Sequence, residues 1–353
     1  MNIKLFRELT EAHGVASQED QVRSIVIREL KGLCDISVDT MGSVIAYRGA
    51  TTGVAKAKKL MLAAHMDEIG FVVSHVSDKG FLRIVPLGGW DPRMMAAQRV
   101  VVRTASGDKN GVLMPGVKPK HLLTPEEAGK ALKIEDFFVD LGMDGETAKA
   151  TVQLGDQVTM DRKMHTMGDL ITNKAMDDRA AVFVMIEAVK KAASHGVDLY
   201  AVATVQEEIG LRGAVAAGSA IKPDICVAID ITLANDIPGI PDEIAITRLG
   251  QGTAIKFMDS SLVCNPKVFR HFVALAVAKK IAHQIEVLPL GGTDAGGVQR
   301  QNGGTPSFTL SIPTRYVHTV NETVHKGDVS ASIDLLAAYI EDAHNGDYEH
   351  SAK

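Results

Sequence analysis

The sequence predicts an α/β fold in which helices flank a sheet and a smaller β-rich segment is inserted. The apolar run at 60–64 is short and continuous, as buried strands are, and 224–229 is predicted to form another buried strand. Helical patterns such as 179–193 alternate with these strands, which indicates a mainly parallel sheet covered on both faces. Between about 71 and 165, short β-like pieces separated by Gly, Pro, Asp and Lys clusters instead favour a small barrel.

The other elements continue this alternation on either side of the insert. Ser17 is a candidate N-cap, followed by apolar residues at helical spacing as far as Leu33. Asn265-Pro266 matches an N-cap with proline at the first helical position and predicts a helix that extends to Lys280. Strands are also predicted at 36–38, 43–47, 199–205, 285–288 and 307–312, and a last helix at about 328–344. We therefore expect a discontinuous α/β domain, 1–70 and 166–353, and an insert domain, 71–165.

Composition and charge narrow the class of protein. A chain of 353 residues exceeds the roughly 250–300 residues at which one core stops growing, which favours two domains. The net charge of −5 argues against a nucleic-acid or anionic-membrane partner, since both bind basic surfaces. No apolar run approaches the ~20 residues that cross a bilayer, and no signal-peptide pattern opens the sequence. The three cysteines form no CxxC pair, so we expect a cytoplasmic protein.

Candidate metal ligands occur where predicted strands end or a helix begins. They are His65, Asp177, Glu208, Asp230 and His318. Open α/β sheets place their sites beyond the carboxyl ends of the strands, so these side chains are expected to converge. Imidazoles and carboxylates together suit zinc, cobalt or manganese. A histidine after an apolar strand is usually structural, and only the conjunction of several such residues predicts a metal site.

Motifs around these residues occur in an order that resembles the M42 family of metallo-aminopeptidases, the group of glutamyl and tetrahedral (TET) aminopeptidases. The resemblance covers nearly the whole chain and rests on the segments AHMDEIGF at 64–71, GGWD at 88–91, KAMDDR at 174–179, QEEIG at 206–210, GGTDA at 291–295 and IPTRYVH at 312–318. One segment departs from it: HGVASQE at 13–19 stands where members often carry a Gly-x-Ser-Gly-like stretch.

The resemblance implies a zinc-exopeptidase-like mixed sheet with two divalent metal ions, zinc or cobalt, in each subunit. Asp177 would bridge the ions, His65 and Asp230 would complete one site, and Glu208 and His318 the other. A metal-bridged hydroxide would act as the nucleophile, because two such cations lower the pKa of a shared water toward ~7.

Neighbouring residues acquire supporting roles by the same resemblance. Glu207 would be the general base. Successive residues of an extended backbone point in opposite directions, so Glu207 could face the bridging water while Glu208 faces the metal. Asp67 would orient the imidazole of His65. The loop containing Gly292, Thr293 and Asp294 resembles a wall of the substrate pocket, although two glycines also suit a simple tight turn.

The same family comparison implies substrates and assembly. The substrates would be short peptides with a free N-terminus, since one metal ion binds the substrate's amino group. The insert would act as a dimerisation domain, and dimers would assemble into a tetrahedral dodecamer.

Several alternatives stay open at this point. A two-metal deacylase or dipeptidase could use the same scaffold, a glycosidase would need only two acids, and a non-catalytic scaffold could retain a dead site. Asp178 is expected to make local backbone contacts, Arg179 to pair with a carboxylate, and His121 and His165 to lie on the surface.

Overall fold

An eleven-stranded mixed sheet and a closed six-stranded barrel make up the fold. A computed structural model describes residues 1–54 and 56–350. The strands in these residues are β1 Asp35–Val38, β2 Val44–Arg48, β3 Lys58–His65, β4 Gly70–Val76, β5 Phe81–Leu87, β6 Gln98–Thr104, β7 Gly107–Pro115, β8 Phe137–Asp140, β9 Gln157–Met160, β10 His165–Met167, β11 Leu170–Asn173, β12 Val197–Thr204, β13 Ile225–Leu233, β14 Thr253–Met258, β15 His283–Val287, β16 Ser307–Arg315 and β17 Glu322–His325.

The helices vary more in length than the strands. They are α1 Ile3–Glu11, α2 Asp20–Leu30, α3 Pro92–Met95, α4 Pro125–Ala128, α5 Gly145–Thr151, α6 Met176–Lys191, α7 Arg212–Ile221, α8 Pro266–Ala278, α9 Asp294–Gln299 and α10 Lys326–Asp342. None of the helices described in 1–54 and 56–350 combines the length and apolar character needed to span a bilayer.

The sheet is parallel at its centre and antiparallel at its sides. Strands β12, β3, β13 and β16 run parallel in that order, whereas β2 pairs antiparallel with β12 and β17 antiparallel with β16. The expectation of a mainly parallel sheet is therefore correct only for the central strands. The outer strands include hairpins such as β1–β2 and β10–β11, whose short connections allow only antiparallel pairing. The mixed sheet implied by the family resemblance is confirmed.

Helices cover both faces of the sheet, and alternate residues of β3 show this. Leu60, Leu62 and Ala64 belong to the large core that contains α6, α8 and α10. Met61 and Ala63 point the other way and pack with residues of α7 and α9. Since successive side chains of a strand face opposite sides, the continuous apolar run at 60–64 reflects a strand buried on both faces.

Helix α6 is the central element of the larger core. Its residues from Met176 to Ile186 are all buried, with Ala188 and Val189 beyond them. The ring of Phe183 packs edge-on against Phe6 of α1, with centroids 5.1 Å apart. A helix that is apolar on every side belongs inside a protein rather than on its surface. The apolar part of α6, 180–186, is therefore packed on all sides, and the polar first turn precedes it.

The barrel confirms the prediction of a β-rich insert that closes on itself. Its strands follow the order β4-β5-β8-β7-β6-β9 and lie between Gly70 and Met160. Phe71, Leu82, Val102 and Val139 are among the buried side chains of its own core. Strand β10, by contrast, pairs with β11 in the larger sheet.

Segment 13–19 connects the barrel to the larger sheet. The Nδ1 atom of His13 lies 2.6 Å from Oγ1 of Thr159 in β9. Ser17 does not cap α2, because its backbone is left-handed and the helix begins at Asp20. The buried carboxylate of Glu19 instead accepts hydrogen bonds from the N–H groups of Ser17 and Gln206, at 2.8 and 3.3 Å. Glu19, and not Ser17, therefore supplies the side-chain hydrogen bonds that hold the backbone before α2.

A buried ion pair joins the end of β3 to the start of α6. Lys174 Nζ lies 2.7 Å from the carboxylate of Glu68, and both side chains are only 3% exposed. Arg179 lies 3.7 Å from the same carboxylate and donates hydrogen bonds to the carbonyls of Leu9 and Gly14. The prediction that Arg179 pairs with a carboxylate is therefore confirmed.

Replacing Lys174 by Met should lower the free energy of unfolding by about 3 kcal/mol or more, since it leaves the buried carboxylate of Glu68 without its nearest cation. Lys191→Met is the matched control, because Lys191 pairs with Asp334 on the surface and its loss should change stability by about 0.5 kcal/mol or less. Equilibrium urea unfolding of the two variants measures the difference. Equal losses would contradict a stabilising role for the buried pair.

Candidate metal centre

The candidate ligands converge at one edge of the central sheet, where neighbouring parallel strands end. His65 is the last residue of β3 and is paired in register with Thr204, the last residue of β12. The Glu207-Glu208 pair therefore follows β12 immediately beside His65. Asp177 lies in the first turn of α6, where its φ and ψ are not helical, and the peptide bond to Asp178 is cis.

Asp177 stands between the two predicted histidine ligands. Its Oδ1 atom lies 3.1 Å from Nε2 of His65, and its Oδ2 atom lies 3.3 Å from Nε2 of His318. Burial favours the neutral acid, but hydrogen bonds from the two imidazoles outweigh it and lower the pKa of Asp177 below its usual value. The structure thus brings both histidines to opposite oxygens of one carboxylate.

The two consecutive glutamates approach different histidines. Glu208 Oε1 lies 3.6 Å from Nε2 of His318, and Glu207 Oε2 lies 3.8 Å from Nε2 of His65. Both glutamate side chains are nearly buried, with 6% and 12% of their surface exposed. The two carboxylates thus approach different imidazoles, although the backbone is not extended here: β12 ends at Thr204 and Glu208 lies in the turn that follows.

Asp67 contacts this pair through its side chain. Its Oδ1 and Oδ2 atoms accept hydrogen bonds from the N–H groups of Glu207 and Glu208, at 3.0 and 3.1 Å. The Nδ1 atom of His65 lies nearer to the Asp67 carbonyl oxygen, at 3.0 Å, than to its carboxylate, at 3.5 Å. The carboxylate therefore holds the backbone of the glutamates, and the carbonyl is the closer partner of the imidazole.

Asp230 lies inside β13 rather than after it, because the strand continues to Leu233. One ligand atom each from His65, Asp178 and Asp230 lie within 4.8 Å of one another, and the same holds for His65, Asp177 and Glu208. Asp178 was expected to make local contacts only. Its carboxylate instead accepts a hydrogen bond from the distant N–H of His65, at 3.2 Å. The sequence feature that could have indicated that Asp178 lies near the site is the pair of adjacent acids, Asp177 and Asp178, at the start of an apolar helix.

The donor set fits divalent cations. Carboxylate oxygens of Asp178 and Glu208 are buried without a hydrogen-bond partner, and such groups are costly unless a cation or donor satisfies them. Burial, and then the charge of Asp177, raises the pKa of Glu208 to about 8. Burial and the Asp177 charge likewise raise the pKa of Asp230 well above its usual value. So many acids gathered around two imidazoles form a site whose negative charge a cation would offset.

The loop at 291–295 is built around buried contacts. Thr293 Oγ1 lies 2.8 Å from Oγ1 of Thr309, and Thr204 donates a 2.5 Å hydrogen bond to Asp294. Gly291 has φ +81°, which suits the tight turn considered above. Of the three predicted pocket residues, Gly292 is exposed, whereas Thr293 and Asp294 are buried.

His121 and His165 are exposed, as expected.

One residue beside the site, Glu322, was not predicted from the sequence; it is the first residue of β17. Its side chain is buried, and its two oxygens accept hydrogen bonds from the N–H groups of Asp177, at 3.0 Å, and His318, at 2.7 Å. An acid four residues beyond a candidate histidine was the available signal, but a single glutamate in a short strand has no motif of its own.

Comparisons with known proteins agree with this geometry. A model of the M42 glutamyl aminopeptidase family matches residues 42–335. Over 355 aligned residues the chain is 34% identical to lysyl aminopeptidase of Pyrococcus furiosus, with 96% of each chain covered.

Solved structures show the same relationship. Aminopeptidase APDkam598 from the archaeon Desulfurococcus kamchatkensis superposes with a TM-score of 0.91 at 40% identity, covering 96% of this chain and 94% of the other. The TET1 peptidase of Pyrococcus horikoshii, which can assemble into a tetrahedron or a large octahedral shell, gives a TM-score of 0.85 at 29% identity, covering 96% and 98%. The chain therefore belongs to the M42 glutamyl aminopeptidase family and is an aminopeptidase.

Proposed function

We propose that this aminopeptidase is dinuclear and removes single residues from the free N-termini of short peptides, with Glu207 as the general base. The observation that carries the proposal is the position of Asp177, whose two carboxylate oxygens face two different imidazoles. A carboxylate shared in this way can bind one cation through each oxygen and fix the distance between the two cations.

The proposed ligands divide into two groups around Asp177. His65 and Asp230 would hold one ion, with Asp178 close to both. Glu208 and His318, whose side chains lie 3.6 Å apart, would hold the other. Two zinc or cobalt ions bound here would supply a hydroxide nucleophile near neutral pH and polarise the scissile carbonyl.

In this proposal Glu207 moves a proton during the reaction. Its backbone N–H is held by Asp67, and its carboxylate lies 3.8 Å from Nε2 of His65. Burial raises the pKa of Glu207 well above its usual value, which favours a carboxyl group that takes up a proton and later delivers it to the leaving amine. Glu208, pointing toward His318, is left free to bind metal.

The charge of the site supports a preference for free amino groups. Buried acids surround the candidate centre, and an N-terminal ammonium or metal-bound amine suits such a site better than a blocked, neutral N-terminus. An exopeptidase that recognises only the first residue needs such an anchor. Gly292, Thr293 and Asp294 are proposed to border the bound residue.

We also propose that the protein is a homo-oligomer in which dimers assemble into a tetrahedral dodecamer. Residues 71–165 would be the dimerisation domain, and 1–70 with 166–353 the catalytic domain. The assembly of the Pyrococcus horikoshii TET1 peptidase supports this proposal. So do Phe81, Val85, Val112 and Met114, large apolar side chains that the barrel exposes. The free thiols of Cys34, Cys226 and Cys264 fit a cytoplasmic location.

A panel of aminoacyl-p-nitroanilides, each with a free or an acetylated amine, tests the proposed activity. We expect hydrolysis of the free-amine substrates only, loss of that activity in chelator, and its return on adding cobalt or zinc, because the amine and the ions are both required. Hydrolysis of the acetylated series would instead indicate a deacylase, and activity that survives exhaustive chelation would remove the metal from the mechanism.

Glu207→Gln should lower kcat by about 10²–10⁴-fold, the usual contribution of a general base, because an amide cannot accept the proton. The variant should still bind metal, since the proposed ligands are intact, and metal content measured by mass spectrometry checks this. Glu243→Gln is the control: Glu243 is exposed and lies in the short 3₁₀ helix Asp242–Ile244, so it should leave kcat unchanged. A Glu207→Gln enzyme with undiminished kcat would assign the proton transfer to another group.

In the metal-free protein, stability should fall as pH rises. The pKa of Glu208 is about 8 in the folded chain against 4.5 for the ordinary side chain, so the folded state binds an extra proton between these values. The free energy of unfolding then decreases with pH through this window by about 1.4 kcal/mol per pH unit. Burial lowers the pKa of His318, but its hydrogen bond to Asp177 outweighs this effect and raises the pKa to about 10. Above pH 6.5 this shift changes the stability in the same direction.

Urea unfolding in chelator between pH 6 and pH 8 measures this slope. Glu208→Gln should make it shallower, and saturating cobalt should remove most of it, because bound cations replace the protons. A metal-free stability that increases over this range would contradict the proposed crowding of acids.

A further inference from the structure

Glu322 occupies the gap between the two chain segments that carry Asp177 and His318. Strand β17 pairs with β11, and Glu322 is in register with Asn173, four residues before Asp177. On its other side β17 pairs with the end of β16, the strand that leads to His318. The side chain of Glu322 is thus placed where both segments leave the sheet.

Both carboxylate oxygens of Glu322 accept hydrogen bonds from backbone N–H groups. Oε2 accepts the N–H of Asp177 at 3.0 Å, and Oε1 accepts the N–H of His318 at 2.7 Å. The residue is 1% exposed. A buried carboxylate is unfavourable unless it is hydrogen-bonded, and this one lies beside a site already rich in acids. Its two partners belong to the two residues that face each other across the candidate centre.

The backbone that Glu322 contacts is not in a relaxed conformation. His318 has φ +60° and Tyr316 has the same value, so two residues with side chains adopt the left-handed region within three positions. Ala175, two residues before Asp177, is left-handed as well. Such conformations persist only where the surroundings hold them. The hydrogen bond to the N–H of His318 is one such restraint.

We propose that Glu322 is a positioning residue that fixes the distance and orientation between Asp177 and His318 by binding both backbones with one carboxylate. The inference rests on the proposed metal site and deepens it. Glu322 contacts no candidate metal-binding side-chain atom through these bonds and would act only through the two ligands. Removing one acceptor should therefore change metal affinity and ligand geometry together.

The test compares two variants of the full chain, stripped with chelator and titrated with Co²⁺ alone. In Glu322→Gln the amide can accept from only one of the two N–H groups. We expect a 10–100-fold weaker Co²⁺ affinity and an altered visible absorption spectrum, the usual effect of losing a group that orients metal ligands. A folded Glu322→Gln protein, shown by unchanged circular dichroism, with wild-type affinity and spectrum would overturn the proposal.

Glu341→Gln is the matched control. Glu341 also accepts a backbone N–H, that of Ala193, at 3.0 Å. Ala193 follows the far end of α6, a helix of 16 residues and hence about 24 Å long. This variant should keep wild-type Co²⁺ affinity within twofold. An equal loss in both variants would show that replacing any carboxylate that accepts a backbone N–H has the same effect, and would also overturn the proposal.

If Glu322→Gln does not fold, amide hydrogen exchange of the metal-free wild-type chain is a second test of the proposal. The N–H groups of Asp177 and His318 should exchange slowly, since both are bonded to a buried acceptor. Rapid exchange at both would overturn the proposal. A wild-type chain that binds no Co²⁺ would refute the metal site itself, while the exchange result would still report whether Glu322 holds the two segments.

Discussion

The carboxylate of Asp177 is the constraint around which the site is organised. It is buried, and each of its oxygens faces an imidazole from a different part of the chain. A buried anion between two imidazoles is stable only if positive charge is present on both sides, whether from protons or from metal ions. Burial, and then the charge of Asp177, raises the pKa values of the neighbouring Glu208 and Asp230, so these acids favour their neutral forms until a cation compensates their charge.

The ends of the central strands and the turns that follow them supply most of these groups. Parallel strands β3 and β12 end side by side, so His65 and the glutamate pair leave the sheet at the same level. Acidic side chains then hold the backbone on which the ligands sit: Asp67 binds the N–H groups of Glu207 and Glu208, and Asp178 binds that of His65. The outer layer of the site is thus made of carboxylate-to-backbone hydrogen bonds, a contact that leaves the ligand side chains free.

Sequence patterns predicted the central strands β3, β12, β13 and β16, but not β11, β14 or β17. A strand buried on both faces has a continuous apolar run, so its end can be located, and His65 was found in this way. Asp230 was also found, although it lies within its strand, because the polar residue interrupts the apolar run before the strand ends. The Asn265-Pro266 cap was confirmed, because side-chain acceptors at helix starts act locally: Asn265 accepts the N–H groups of Lys267 and Val268.

What the sequence could not provide were contacts between distant segments. Glu322 and Asp178 act on backbone N–H groups far from them in the chain or across a turn, and no periodicity records such a bond. The antiparallel flanks of the sheet depend on strand order, which composition does not encode. Ser17 was assigned as a cap on local propensity, but the buried Glu19 determines that turn.

The burial of α6 in the core has a consequence for how the proposed centre would bind cations. Asp177 and Asp178 belong to the first turn of a helix packed into the core, so they cannot swing toward solvent without disrupting that core. Cations bound at the proposed site would therefore meet donors already in place, and little of their binding free energy would be spent on rearranging the protein.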